Sequence, residues 1–312
     1  MSDHHHHWQT IHSHHLGWDN TLAPAHRITP GTTLEFEILD AGGGQFSRSS
    51  GLQDLINLDF GNVNPVTGPI FIEGAEPGDA LVVELLEFKT SGWGWTALIP
   101  GFGLLSDEFP DPHLIVSEHD ARVAHFLPGL ASVPIKPFTG VIGVAPAEMG
   151  HHSVVPPRRV GGNLDIRDLS AGSTLYLPVE VPGALFSVGD THAAQGDGEV
   201  CGTAIESPMN VVLRFNLEKR RNLPSPQFRM NGPVTRHHDE MGYYATTGVG
   251  PDLMTGAKDA VRAMIDHLGR EYKLEPKDAY ALCSVACDLR ISEVVDMPNW
   301  VVSCYLPLIV FA

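Results

Sequence analysis

Hydrophobic and polar positions along this chain alternate in short runs, a pattern that predicts β-strands separated by tight turns. In Thr33-Leu34-Glu35-Phe36-Glu37-Ile38 the apolar residues fall on one face and the glutamates on the other. Ala80 to Leu86, Thr174 to Val179 and Val211 to Leu217 read the same way, and the closing run Trp300 to Ala312 is strand-like. The 32 glycines and 24 prolines are spread evenly and cut the chain into short elements. Three strand openings share a frame: Gly31-x-x-Leu34, Gly78-x-x-Leu81 and Gly172-x-x-Leu175. A longer echo sets Gly68 to Gly74, followed by Pro77-Gly78-Asp79, against Gly183 to Gly189, followed later by Gly196-Asp197. It reads as a duplicated β unit whose second copy carries an enlarged loop, with shared turn chemistry as the competing explanation.

Helical periodicity is confined to the C-terminal third. Val261, Met264, Ile265 and Leu268 recur at helical spacing. So do Leu282, Val285, Ala286 and Leu289, after Pro276 placed where a helix can start. Cys283 and Cys287, four apart on that second helix, read as core filler rather than a metal pair. The expected class is α+β, predominantly β, with sandwich or barrel elements and two late helices. A His-rich tail over residues 1–12 precedes one domain over 13–312, with helices at about 256–290.

Composition narrows the function classes. With 312 residues, 43% hydrophobic and 18% charged, the chain can bury a full core. Its formal net charge of −17 repels phosphate backbones and anionic lipids, so neither nucleic acid nor a membrane surface is an expected partner. No apolar run approaches the roughly 20 residues of a bilayer span. Residues Met1 to Asn20 lack the apolar core of a secretory signal. Cys201, Cys283, Cys287 and Cys304 show neither CxxC spacing nor the density of a disulfide framework, which suits a reducing cytoplasm. His4 to His7 read as a surface tail. His14 and His15, beside Trp18 and Asp19, are minor site candidates.

The chemistry concentrates in Gly189-Asp-Thr-His-Ala-Ala-Gln-Gly-Asp-Gly-Glu199, a Gly-rich loop between apolar strands. Asp190 and His192 are two apart and share a face if strand geometry continues to His192. Together with Asp197 and Glu199 they form a mixed His/carboxylate set suited to zinc or another divalent ion, with calcium as the oxygen-only alternative. The bland reading is a hydrogen-bonded pair in a solvated acidic turn. A second segment, Gly161-Gly-Asn-Leu-Asp-Ile-Arg-Asp168, turns Asn163 and Asp165 to one side; alone it reads as a turn with Arg167 and Asp168 solvated. Asp40 to Gln45, Gly92-Trp93-Gly94-Trp95 and His237-His238-Asp239-Glu240 are loops with some chance of site contact. HExxH, GxSxG and phosphate-cradling loops do not occur.

These motifs resemble the acetamidase/formamidase family. The resemblance is carried by Asn64 to Ile70, Glu73 to Asp79, Gly161 to Asp165, Gly172 to Val179 and, most specifically, Gly189 to Glu199, and it runs from about His14 to the C-terminus. It implies interlocked β subdomains, homo-oligomers, and hydrolysis of short or small cyclic amides to ammonia and a carboxylate. In some relatives it also implies a divalent metal such as zinc. Placed on those motifs, Asp165, Asp190 and His192 are the expected metal ligands, and Glu199 the general base. Asp197 is an auxiliary ligand or partner, and Asn163 an oxyanion donor. A metal lowers the pKa of its water from 15.7 toward about 7. Three rivals remain: a cysteine amidase using Cys201 with His192 as base, a calcium-dependent β-sandwich binding module, and a purely structural role for the loop at an oligomer interface.

Overall fold

The computed structural model describes residues 8–232 and 239–312. The runs read as strands form strands. Thr33–Ile38, Ala80–Thr90, Thr174–Pro178 and Met209–Glu218 lie in one six-stranded sheet, flanked by Gln9–Ile11 and Gln227–Arg229. A second six-stranded sheet holds Gly161–Asn163, Phe138–Val144, Phe186–His192, Val66–Ile72 and His14–His15 in that order, with His26–Ile28 parallel to Val66–Ile72. Their inner faces meet in one core. Phe36 and Phe215 of the first sheet stand edge-on to Phe186 of the second, at 5.9 and 4.9 Å between ring centroids. The sandwich half of the expected architecture is thus present. The barrel half is not, because these sheets are open among the described residues.

The sequence echo has a structural counterpart. Val66–Ile72 and Phe186–His192 are antiparallel neighbours, Val188 opposite Thr67 and Gly189 opposite Val66. Around them the pairings repeat under exchange of the copies. Thr33–Ile38 pairs with Met209–Glu218, as Thr174–Pro178 pairs with Ala80–Thr90, and the two long strands pair with each other. Each copy therefore completes the other's sheet.

The helices and two smaller sheets form a second core. Leu253–Tyr272 starts on an Asp252 cap, whose carboxylate accepts from the Thr255 amide at 2.9 Å. Pro276–Ala286 opens with its proline at the first turn. Leu289 falls beyond that helix, in the strand Asp288–Glu293, so its helical spacing was coincidental. Val261, Met264, Leu268, Leu282 and Val285 pack with Ala193, Ala194, Val200 and Ile205 of the Gly-rich loop, anchoring its base. Gln9–Ile11, within the segment read as a tail, pairs with Leu34–Phe36. His4 to His7, His237 and His238 lie outside the described residues. No helix among the described residues is long and apolar enough to cross a membrane.

Candidate active site

The strand Phe186–His192 runs through His192, which sets Asp190 and His192 on one face. His192 Nε2 lies 3.1 Å from Asp190 Oδ1. The chain then folds back as a hairpin. The Ala193 amide donates to the Ile205 carbonyl and the Ile205 amide to the Ala194 carbonyl, making Glu206 the cross-strand neighbour of His192. Glu206 Oε1 accepts from the Ala204 amide at 2.8 Å, and Oε2 lies 3.1 Å from His192 Nε2.

The distant segment containing Asn163 reaches the same place. Gly140, on the strand Phe138–Val144 beside Phe186–His192, accepts at its carbonyl from the Leu164 and Asp165 amides, at 2.9 and 3.2 Å. A Cβ at Gly140 would stand 2.6 Å from Asp165 Oδ1 and 3.0 Å from His192 Nε2, so only glycine permits this convergence. One donor atom from each of Asp165, His192 and Glu199 lies within 4.8 Å of the others, and the same holds for Asp190, His192 and Glu206. Asp165, Asp190 and Glu199 all adopt left-handed backbone, with φ of 49°, 52° and 43°. Such conformations cost of order 1 kcal/mol or more in non-glycine residues and cluster where geometry serves function.

Gln195 fixes the imidazole. Its Nε2 donates to the Asp165 carbonyl at 2.8 Å, which turns Oε1 to His192 Nδ1 at 2.9 Å. Nδ1 must therefore carry a proton, and in the neutral ring the lone pair sits on Nε2, facing the acids. The Phe138 ring holds the imidazole edge-on at 4.9 Å.

Electrostatics follow from crowding four carboxyls and one imidazole together, with Asp190, His192 and Glu206 buried and Asp165 and Glu199 half-buried at the cavity. Burial, then repulsion among the acids, drives Glu199 well above its ordinary value. Burial pushes Asp165 up to about 7, against the pull of His192, and Glu206 up to about 8. Burial alone would also raise Asp190, but the His192 charge and hydrogen bonds from His192 and Glu206 hold it low. Those acids raise His192 well above its usual range despite burial. Asp165 Oδ1, Glu206 Oε2 and Asn163 Oδ1 are buried without a hydrogen-bond donor. A single Nε2 proton aimed at Asp190 leaves Glu206 Oε2 unserved, though it is equally near.

The cluster floors a cavity of about 610 Å3 lined by Asn163, Asp165, Asp190, Glu199 and Glu206 below and by Ala41, Gly42, Trp95 and Phe102 among others above. The loops at Asp40 to Gln45 and Gly92 to Trp95 thus contribute walls. Asp197 does not join this group. Its carboxylate lies 3.2 Å from Arg167 Nε, and its backbone meets Asp288 and Leu289. Arg167, read as solvated, is 3% exposed and bonds the fully buried Asp288 through both terminal nitrogens. His14 and His15 bond Thr67 and Ser187 instead of lining the cavity. Cys201 gives no support to a nucleophile. It is fully buried, burial raises its thiol, and Sγ faces the Ala97 carbonyl and Thr203. Glu206 and Gln195 carried no role in the sequence reading. The one available signal for Glu206 was a lone acid within the apolar Ala204-Ile205 return of the hairpin.

Comparison with known proteins places the chain among amide hydrolases. The acetamidase/formamidase family model matches residues 2–153 and 147–312. A gamma lactamase from Delftia acidovorans is 27% identical and superposes with a TM-score of 0.88, over 96% of this chain and 89% of that one. An acetamidase from Bacillus halodurans is 32% identical with a TM-score of 0.68, over 96% and 97% of the respective chains. A formamidase of Methylophilus methylotrophus is 28% identical, covering 97% of this chain and 91% of its own length. The chain belongs to the acetamidase/formamidase family. It is an amidohydrolase, acting on carbon–nitrogen bonds other than peptide bonds.

Proposed function

We propose that the chain hydrolyses small neutral amides, linear or cyclic, to a carboxylate and ammonia or an amine at the floor formed by Asp165, Asp190, His192, Glu199 and Glu206. The observation that carries this reading is the set of buried carboxylate oxygens without donors around one oriented imidazole nitrogen, beside a cavity lined by no Lys or Arg among the described residues. Buried acids left this way require a cation or protons. The two overlapping donor sets, Asp165/His192/Glu199 and Asp190/His192/Glu206, suit a divalent transition ion, zinc foremost; in this reading Asp165, Asp190 and His192 would hold it, with Glu206 beside them. When bound, such an ion supplies Lewis acidity, polarising the amide carbonyl and acidifying water.

The chain's own groups do the rest. Glu199 lines the cavity, and burial and the neighbouring acids raise its carboxyl well above its ordinary value, which suits a group that both takes and returns a proton. It takes the proton of the attacking water and delivers it to the leaving nitrogen as the carbon–nitrogen bond breaks. Asn163 faces the same space and steadies the developing oxyanion; losing one such donor costs roughly 10²–10³ in rate. His192 and Gln195 keep Asp165 and Asp190 in register. Four unpaired, buried cysteines suit a reducing cytoplasm. A homo-oligomer, which the resemblance implies, is the assembly this reading expects. The test is ammonia release from formamide, acetamide and butyramide, and formation of 4-aminobutyrate from γ-butyrolactam, before and after chelation, with Glu199→Gln in parallel. Turnover should fall by several orders of magnitude in the variant. A Glu199→Gln enzyme with wild-type turnover would remove Glu199 as the base, and full activity without metal would remove the ion.

A further inference from the structure

The space above the acidic floor far exceeds what formamide or acetamide needs. A water takes about 30 Å3, so the cavity spans roughly twenty water volumes. Its walls are apolar: Leu58, Phe60, Trp95, Ile99, Phe102 and Val155 face the space. Above the floor only Asn64 and Thr203 add polar side chains among the described residues, and the Thr203 hydroxyl is already engaged with Ala97. Trp95 is a fixed surface. It is 2% exposed, its Nε1 donates to Asp40 at 3.0 Å, and it packs on Phe46 at 4.4 Å. Phe60, Phe102 and Val155 form an exposed rim, 60%, 48% and 41% accessible. Isolated apolar side chains at a surface are ordinary; three around one mouth, continuous with an apolar wall, mark a ligand path.

Resting on the amide hydrolysis proposed above, we infer that the preferred substrates are neutral amides with a bulky apolar acyl group, which lies against Trp95 and Val155 while the carboxamide meets the acidic floor. Four carboxyls and no lining cation exclude substrates whose acyl group carries a carboxylate. The chemistry is unchanged: water adds to the carbonyl carbon, the carbon–nitrogen bond breaks, and one proton passes to the leaving ammonia.

The experiment compares kcat/KM of the metal-loaded enzyme on acetamide, butanamide, hexanamide, phenylacetamide and succinamate. Each buried methylene contributes about fourfold in binding, so hexanamide should exceed acetamide by tenfold or more, and succinamate should be poorest. Values that stay flat or fall from acetamide to hexanamide would overturn the inference while leaving the hydrolase reading intact. Ammonia from none of these amides would overturn both. Val155→Trp, which narrows the mouth, should lower the hexanamide-to-acetamide ratio at least fivefold; an unchanged ratio would overturn the placement of the acyl group.

Discussion

Gln195 and His192 form the relationship on which the site's protonation turns: the carboxamide oxygen accepts from Nδ1 at 2.9 Å because the same carboxamide's nitrogen is committed to the Asp165 carbonyl. One side chain thereby orients the imidazole and ties it to the second loop. Gln195→Leu is expected to keep the fold, which does not depend on this contact, but to release the ring. Cation affinity and kcat should each fall by about 10- to 100-fold, as when outer partners of ligating histidines are removed. Titration calorimetry and steady-state kinetics check this.

Gly140 should tolerate no side chain. In Gly140→Ala the new methyl meets Asp165 Oδ1 and the His192 ring at contact distances that both must relieve by moving. A displacement near 1 Å costs about 10²-fold in turnover. The expected variant melts close to wild type yet loses about that factor in kcat.

The Arg167–Asp288 pair joins the Asp165 segment to the strand after the last helix, behind the cavity. Asp288 also accepts from the Asp197 amide, at 3.2 Å, so both site loops hang on one buried ion pair. Removing one partner strands a buried charge. Asp288→Ala should cost about 3–5 kcal/mol in denaturant unfolding, against a small effect for an exposed pair such as Arg27–Glu73.

Stability of the ion-free protein should depend on pH in a definite direction. Asp165 and Glu206, raised to about 7 and about 8, keep protons that their unfolded counterparts release near 4. Between those limits the folded state holds more protons, so the stabilisation from these two carboxyls is fully present below about pH 4 and declines as pH rises toward 8. Thermal melts of chelated protein at pH 5 and pH 8 should show this fall. It should shrink in Asp165→Asn/Glu206→Gln and on adding zinc.

Cys201→Ser should change kcat by no more than a few-fold, because the thiol is buried among backbone acceptors and does not line the cavity. Loss of activity with an intact fold would revive the cysteine reading.

Much of this was legible in the sequence where local rules dominate. Alternation placed the four inner strands of the first sheet, because each turns one apolar face into the shared core. The echo around Gly68 and Gly183 marked the two strands that pair at the centre. Asp190, His192 and Glu199 could be read because they crowd one loop, and Asp165 by its motif. Glu206 and Gln195 needed the hairpin register, which no local pattern encodes. Arg167 was misread for a related reason: a charge beside a turn reads as solvated unless its partner, here Asp288 121 residues on, is known. Asp197, expected as an auxiliary ligand or partner, lies against Arg167. Leu289 shows the opposite error, a residue in phase with a helix that had already ended.

The most direct measurement is anomalous diffraction at the zinc edge from crystals of the zinc-loaded protein. The expected result is one peak within about 2.0–2.2 Å of His192 Nε2 and of a carboxylate oxygen of Asp165 or Asp190. A fully active, zinc-containing enzyme whose peak lies elsewhere, with the acids around His192 bare, would contradict it.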